Sequence, residues 1–320
     1  MLVKLLEPLN VSKETIDKLA QPIIDAGHEF VYYDTKTTDV EELKERSKDA
    51  DVIMIANNPY PTEVIDSNDN LKYINVAFTG FDHVGLDEAK NKDDILMSNA
   101  AGYANNAVAE LALGLTLDVY RQITQGDEDI RKADDFPGVF QGREIKGKTV
   151  AIVGLGKIGM MTAKLFDAFG ANILAVDAYE NDEAKAMGIE YVSLEEAAER
   201  ADIISLHTPL MESTRGLISK DILAKMKPSA ILINTARGPV VDNAALAEAL
   251  NNGDIAGAGL DVFDMEPPIP ADYPLLSAKN AVLTPHVAFL TDESMEIRAD
   301  IAFANTIAFL EGNPQNVVNR

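Results

Sequence analysis

The chain has no cysteine and no tryptophan, only four histidines, and 28 Lys and Arg against 52 Asp and Glu. Without cysteine there is no disulfide and no thiolate chemistry. The net charge of −24 argues against nucleic acid or an anionic membrane surface as partner, because the overall field repels either polyanion. A small anion remains admissible if a cation is placed locally to meet it. No stretch approaches the ~20 apolar residues of a membrane span. The opening MLVKLLEPLNVSKE has its apolar run broken by Glu7 and Pro8, so it lacks the h-region of a secretion signal and the cytoplasm is the expected location. The scattered histidines show no metal-ligand spacing, so no metal is expected. There is no GxSxG hydrolase elbow either.

What is present is enough for two cores. At 320 residues, 47% hydrophobic and 25% charged, the chain suits two globular domains with a cleft between them. Up to about residue 100, short β-rich runs (LVKLL, EFVYY, DVIMIA, YINVAF, ILMSN) alternate with amphipathic segments. Ser12 is placed to cap the first helix and Gly27 to end it; Thr38 with Glu41 has capping-box spacing for the second. A long helix over about 104 to 123 is apolar nearly all round and should be buried between domains or subunits. Residues 125 to 147 read as an irregular arm. From Lys148 the alternation restarts in TVAIVG, NILAVD, DIISLH, AILINT, GAGLDVF and AVLTP, with a cap at Ser193 and a last helix from about Asp292 to Glu311 closed by Gly312. Strands alternating with helices imply parallel sheets, so the expected class is α/β with two doubly wound domains.

GLGKIG, with Gly154, Gly156 and Gly159, is a weak motif alone. Here the apolar strand TVAIV leads into it, a helical run follows, and Asp177 closes the next strand about 20 residues on, as a dinucleotide fingerprint requires. Gly154 allows the tight turn, Gly156 the approach of a pyrophosphate, and Gly159 close helix–strand packing; the helix N-terminus supplies amide donors. Asp177 suits the adenine-side ribose hydroxyls. With no cation in Ala178, Tyr179 or Glu180, NAD is favoured over NADP.

Ligands of an open parallel sheet bind beyond the carboxyl ends of its strands. Three polar groups fall there: Arg237 after AILINTA, Glu266 after GAGLDVF and His286 after AVLTP. Hydride transfer to a 2-oxo acid needs a cation for the carboxylate and an acid for the carbonyl oxygen. A guanidinium pairs bidentately with a carboxylate, so Arg237 answers the demand for local positive charge. His286 suits the proton donor, and Glu266 on its other ring nitrogen would fix the tautomer and favour the protonated form. Singly, each has a commoner reading as a surface or turn residue; together they carry more weight.

NTARG (Asn234 to Gly238), GLDVFDMEPP (Gly259 to Pro268) and TPHVA (Thr284 to Ala288), downstream of GLGKIG, resemble the signature blocks of the D-2-hydroxyacid dehydrogenase family. The resemblance runs from roughly Phe78 to the C-terminus and is weaker before it. It implies an NAD-dependent oxidoreductase with Arg237 on the substrate carboxylate and Glu266 and His286 as the acid–base pair. Lys157 and Ile158 would join the three glycines at the cofactor, Thr235, Ala236 and Asp261 would meet its nicotinamide half, and His207, Thr208, Pro209 and Thr214 its adenosine half. Thr79, Gly80 and Phe81 resemble the loop that holds the substrate carboxylate, and Tyr103 opens the interdomain helix beside it. The family's fold has two doubly wound parallel-sheet domains, each Rossmann-like or flavodoxin-like, with a cleft between them. Residues 1–101 plus 288–320 would form the substrate domain, with a cofactor domain of 102–287 inserted. A homodimer through the cofactor domain is implied, and Phe136 stands near the place of a tryptophan that is often seen in relatives and absent here.

Within that family an amide stands where Glu266 does in formate enzymes, which disfavours formate. The loop NNPYPTE carries no Lys or Arg for a phosphate, so a small unphosphorylated acid is expected, with Tyr60, Tyr103 and Phe289 as candidate apolar surface for its side chain. Hydroxypyruvate or glyoxylate reductase and phosphoglycerate dehydrogenase stay open as alternatives. So does an NAD-sensing corepressor-like binding protein, since fold does not fix function.

Overall fold

In the computed structural model, residues 1–132, 138–266 and 268–320 are described. They divide into two compact units, Met1–Ala104 with Leu290–Arg320, and Asn105–Phe289. Phe136, Pro137 and Pro267 lie outside the described residues.

The first unit holds strands β1 (Leu2–Leu5), β2 (Glu29–Tyr32), β3 (Val52–Ile55), β4 (Tyr73–Val76) and β5 (Leu96–Asn99), with helices α1 (Lys13–Asp25), α2 (Val40–Ser47) and α3 (Thr62–Ile65). All its strand pairs are parallel and the order is β2-β1-β3-β4-β5. This is the flavodoxin-like order, with its switch point between β1 and β3. The last helix of the chain, α11 (Asp292–Leu310), packs on this sheet. Its Ala299, Ala302 and Phe303 share a core with Val3, Leu5, Val52 and Tyr73, and the Phe309 ring stacks on Tyr73 at 4.2 Å. Asn75, fully buried on β4, donates to Thr306 Oγ1 at 2.8 Å. Asn305 donates to the Asn99 carbonyl at 3.0 Å. A buried amide is costly unless paired, so these bonds fix one docking register for the helix.

The second unit contains α4 (Asn105–Arg121), α5 (Ile123–Arg131), β6 (Thr149–Val153), α6 (Lys157–Ala168), β7 (Asn172–Val176), α7 (Asp182–Ala186) and β8 (Glu190–Tyr191). It continues with α8 (Leu194–Arg200), β9 (Ile203–Leu206), α9 (Lys220–Leu223), β10 (Ile231–Asn234), α10 (Asn243–Asn252), β11 (Gly257–Leu260) and β12 (Ala281–Leu283). Its seven strands run in the order β12-β11-β10-β9-β6-β7-β8, all parallel. Counted from β6 the order is 3-2-1-4-5-6-7, the dinucleotide-binding arrangement extended by one strand, with its switch point between β6 and β9. Separate apolar clusters cover the two faces of this sheet, which is why its central strands read as continuous hydrophobic runs.

Three local expectations shift. The second helix is capped by Asp39, not Thr38: the Asp39 carboxylate accepts the Glu42 N–H at 2.8 Å. The run TTDVEE offers the same cap spacing twice, and aspartate is the stronger cap. The expected arm is helical at its start. Gln122 adopts φ +48, which ends α4, and Asp118 then accepts the Thr124 N–H at 2.8 Å to restart the helix as α5. The two-residue edge strand β8 is too short to leave a periodic signal.

Candidate active site

The carboxyl edge of the seven-stranded sheet begins with the glycine turn after β6. Gly154 has φ +91, and a Cβ there would lie 2.8 Å from the His207 backbone at the end of β9; one on Gly159 would lie 2.0 Å from the Gly154 carbonyl oxygen. Both positions demand glycine for close approach. A Cβ on Gly156 would meet nothing within 4 Å, so the backbone there faces open space in front of the α6 N-terminus, as a phosphate cradle needs. Lys157 and Ile158 form the first turn of α6. At the end of β7 the Asp177 carboxylate accepts the Leu155 N–H at 2.6 Å and the Tyr179 N–H at 3.0 Å. It is thereby fixed against the glycine turn, with lone pairs remaining for ribose hydroxyls.

His207, Thr208 and Pro209 follow β9, and Thr235 and Ala236 follow β10. His207 Nε2 lies 2.8 Å from Ser205 Oγ. Nδ1 of His207 and the hydroxyls of Thr208 and Thr235 are buried polar atoms with no hydrogen-bond partner among the described residues. Three such groups on adjacent strand ends of this edge fit a polar ligand, since buried polar groups are otherwise paired. Although part of His207 reaches the surface, its buried ring nitrogen governs its titration: burial pushes its pKa down to about 3. Thr214 spends its hydroxyl on its own loop, donating to the Pro209 carbonyl at 2.7 Å and accepting the Met211 N–H at 2.8 Å.

Arg237, Glu266 and His286 lie beyond β10, β11 and β12, whose last residues are register neighbours: Asn234 pairs with Leu260, and Leu260 with Leu283. Neighbouring strand ends thus bring the three segments into one row. His286 Nδ1 lies 2.9 Å from both oxygens of Glu266. The histidine side chain is 21% exposed and the glutamate 73%. His286 has φ +55, a left-handed conformation that costs a residue with a Cβ roughly 1–2 kcal/mol. Asp261 holds it there. Fully buried, it accepts from Thr284 Oγ1 at 2.6 Å and from the N–H groups of Val287 at 2.9 Å and Ala288 at 2.8 Å, while its carbonyl accepts the His286 N–H at 2.9 Å. The Phe289 ring stands edge-on to the imidazole at 5.8 Å. The Arg237 turn is set by Asn234, which accepts the Ala236 N–H at 3.0 Å and donates to the Arg237 carbonyl at 3.0 Å. Arg237 Nη1 donates to the Ala236 carbonyl at 2.8 Å.

In the first unit, Thr79, Gly80 and Phe81 follow β4 at the carboxyl edge, and the Thr79 carbonyl accepts from Asn99 at 2.7 Å. Tyr103 is 3% exposed, packs against Phe78 at 5.9 Å and lies under the Arg298 guanidinium at 6.0 Å. Tyr60 is not available as substrate surface: it is 0% exposed, with its hydroxyl 3.0 Å from Ser47 Oγ. A tyrosine read from sequence as a loop side chain has become core because its backbone pairs with His83 and Gly85. The sequence also hid the bracing roles of Asp261 and Asn234, which are polar positions at the ends of apolar strands, and the approach of Lys36 to the loop after β3. Lys36 Nζ sits 3.0 Å from Asn57 Oδ1 and 3.6 Å from buried Glu7. Among the described residues, no group of three or more metal-type side chains is assembled, and no helix is long and apolar enough to cross a membrane.

An imidazole with a carboxylate behind it, on the same sheet edge as a dinucleotide cradle, is equipment for moving a proton in step with a hydride. The features define a dinucleotide-dependent dehydrogenase. Residues 113–288 match the model of the D-isomer specific 2-hydroxyacid dehydrogenase NAD-binding domain. The chain is 36% identical over 308 residues to a hydroxypyruvate reductase of Blautia hydrogenotrophica, covering 93% of this chain and 94% of that one. It is 41% identical over 288 residues to a glyoxylate reductase of Thermofilum pendens, covering 88% and 84%. The fold superposes on the crystal structure of a glyoxylate reductase from Paecilomyes thermophila with a TM-score of 0.87 at 28% identity, covering 99% of this chain and 98% of that one. The chain belongs to the D-isomer specific 2-hydroxyacid dehydrogenase family, and it is an NAD-linked oxidoreductase of small 2-hydroxy and 2-oxo acids.

Proposed function

We propose that the chain reduces small unphosphorylated 2-oxo acids to D-2-hydroxy acids with His286 as proton donor, Glu266 as its orienting partner and Arg237 as the carboxylate-binding group. The reading rests on the placement of both Glu266 oxygens 2.9 Å from His286 Nδ1. With that nitrogen committed to the carboxylate, its proton stays on the Glu266 side, and the proton to be transferred sits on Nε2. Bound NADH supplies the hydride to the substrate carbon. As charge develops on the carbonyl oxygen, His286 gives it the Nε2 proton, and the Glu266 carboxylate stabilises the imidazolium from which that proton leaves. In oxidation the same atom takes the proton back. Arg237 offers a planar fork to a planar carboxylate.

The absence of a phosphate on the substrate is supported by how Lys36, a cation that touches the loop after β3, is used. Lys36 is held by buried Glu7 and by Asn57, so its charge is already balanced. A panel of glyoxylate, hydroxypyruvate, pyruvate, 4-methyl-2-oxopentanoate and phosphonooxypyruvate, followed by NADH absorbance, tests the proposal. Turnover on the first four with little on the last is expected, and preference for the phosphorylated acid would reject it. Tight NADH binding without turnover of any acid would point to a sensor instead.

We also propose a homodimer through the second unit. Its α4 helix keeps Leu111, Leu113 and Leu117 only partly buried, and Ile123, Ile130, Val139 and Phe140 are exposed, apolar side chains that a partner surface would cover. Light scattering at a monomer mass would refute this.

A further inference from the structure

We propose that Asp264, clamped by Asn243 and Tyr273, is a positioning residue that holds Glu266 in register with His286. The inference rests on the acid–base reading above. Glu266 is the most solvent-exposed member of the pair, with its side chain 73% accessible, and the neighbouring Met265 is 41% exposed. An exposed glutamate gives up rotamer entropy to stay in one geometry, so its segment must be fixed from behind. Asp264 is the residue so fixed. Its Oδ1 accepts from Asn243 Nδ2 at 2.7 Å and its Oδ2 from the Tyr273 hydroxyl at 3.0 Å. Both donors are buried, Asn243 at 5% and Tyr273 at 9% exposure.

The clamp joins more than one loop. Asn243 Nδ2 also reaches the Gly238 carbonyl at 3.4 Å, directly after Arg237. A Cβ on Gly238 would lie 1.8 Å from the Phe263 carbonyl oxygen, so the Arg237 turn and the segment leading to Glu266 are pressed backbone to backbone. The Phe263 ring meets Tyr273 edge-on at 6.0 Å. Burial pushes the Tyr273 hydroxyl up to about 12, so it remains a donor to Asp264 wherever the enzyme works. Asp264 therefore sits where the first turn of α10, the Arg237 turn and the Glu266 segment meet. Both of its oxygens are taken by neighbours, which suits bracing and not proton transfer.

A double-mutant cycle on the full chain tests this. Asp264→Ala is expected to lower kcat by about tenfold, within the coupling range of residues in one hydrogen-bond network, with the Kd for NADH unchanged. Added to Glu266→Ala, it should cost less than about twofold more, because its effect passes through that side chain. A fall in Tm with kcat unchanged, or an effect that multiplies fully on top of Glu266→Ala, would make Asp264 a brace of the fold alone and overturn the proposal. If Glu266→Ala itself leaves kcat unchanged, the acid–base reading falls and this one with it; if Glu266→Ala is impaired and Asp264→Ala is not, only this one falls. Should Asp264→Ala not fold, Tyr273→Phe keeps the ring against Phe263 and removes one donor. The same cycle then applies with a smaller loss, and full additivity refutes the clamp.

Discussion

Lowering the pH should destabilise this protein through His207 before it touches most of its carboxylates. The folded environment pushes the His207 pKa from 6.5 down to about 3 by burial, while the unfolded chain titrates near the ordinary value. Between those values the unfolded state binds a proton that the native state refuses, so the contribution to stability is fully present above about pH 6.5 and is lost as pH falls toward 3. Each unit of separation is worth about 1.4 kcal/mol. At pH 5 the gap below 6.5 is about one and a half units, which gives a loss of about 2 kcal/mol against pH 7.5. His207→Gln keeps a polar group beside Ser205 and removes the titration. Guanidinium chloride unfolding of both proteins without ligand, followed by circular dichroism at pH 7.5 and pH 5, isolates the term. The stability of wild type relative to the variant should fall by about 2 kcal/mol between the two conditions. A difference that stays constant with pH would show that the ring is hydrated or charged in the native state, and would remove the argument that a buried neutral imidazole stands at the end of β9.

His286→Ala should lower kcat by about 10²–10⁴-fold, the cost of a lost general acid, with the Kd for NADH little changed; near-wild-type turnover would take His286 out of the proton-transfer role. Arg237→Lys should not restore activity lost in Arg237→Ala, because a point charge lacks the fork that pairs with a planar carboxylate. Its failure should show as a raised KM for the 2-oxo acid in steady-state assays, and an unchanged KM would contradict the assignment.

The α/β class with two parallel-sheet domains was legible because each strand of the parallel sheets is a short apolar run closed by a turn signal, and such periodicity is displayed directly by a sequence. The strand order is not, and comes from the structure. The glycine turn was legible for a related reason: Gly154 and Gly159 stand where another residue would collide with backbone at 2.8 and 2.0 Å, and such steric demands leave a fixed spacing. What could not be read is whatever depends on which side chain lies behind which loop. Asp261 was read as a cofactor contact, and nothing in GLDVFDM distinguishes that from the fully buried carboxylate that gathers Thr284, Val287 and Ala288 around His286. Tyr60 was read as surface because a turn-rich loop surrounds it, yet backbone pairing with His83 and Gly85 turns its ring inward. Lys36 and Glu7 are far apart in sequence and meet only because β1, β2 and β3 are laid side by side by the crossover after α1. In each case the residue type stated a chemical capacity, and the parallel sheet, by setting strand ends next to one another, decided where it was spent. The same reasoning puts the sharpest demand on His286. A histidine at φ +55 is held against its backbone preference by Asp261 from one side while its ring is bonded to Glu266 on the other, an expenditure of strain hard to account for in a residue with no task at that sheet edge.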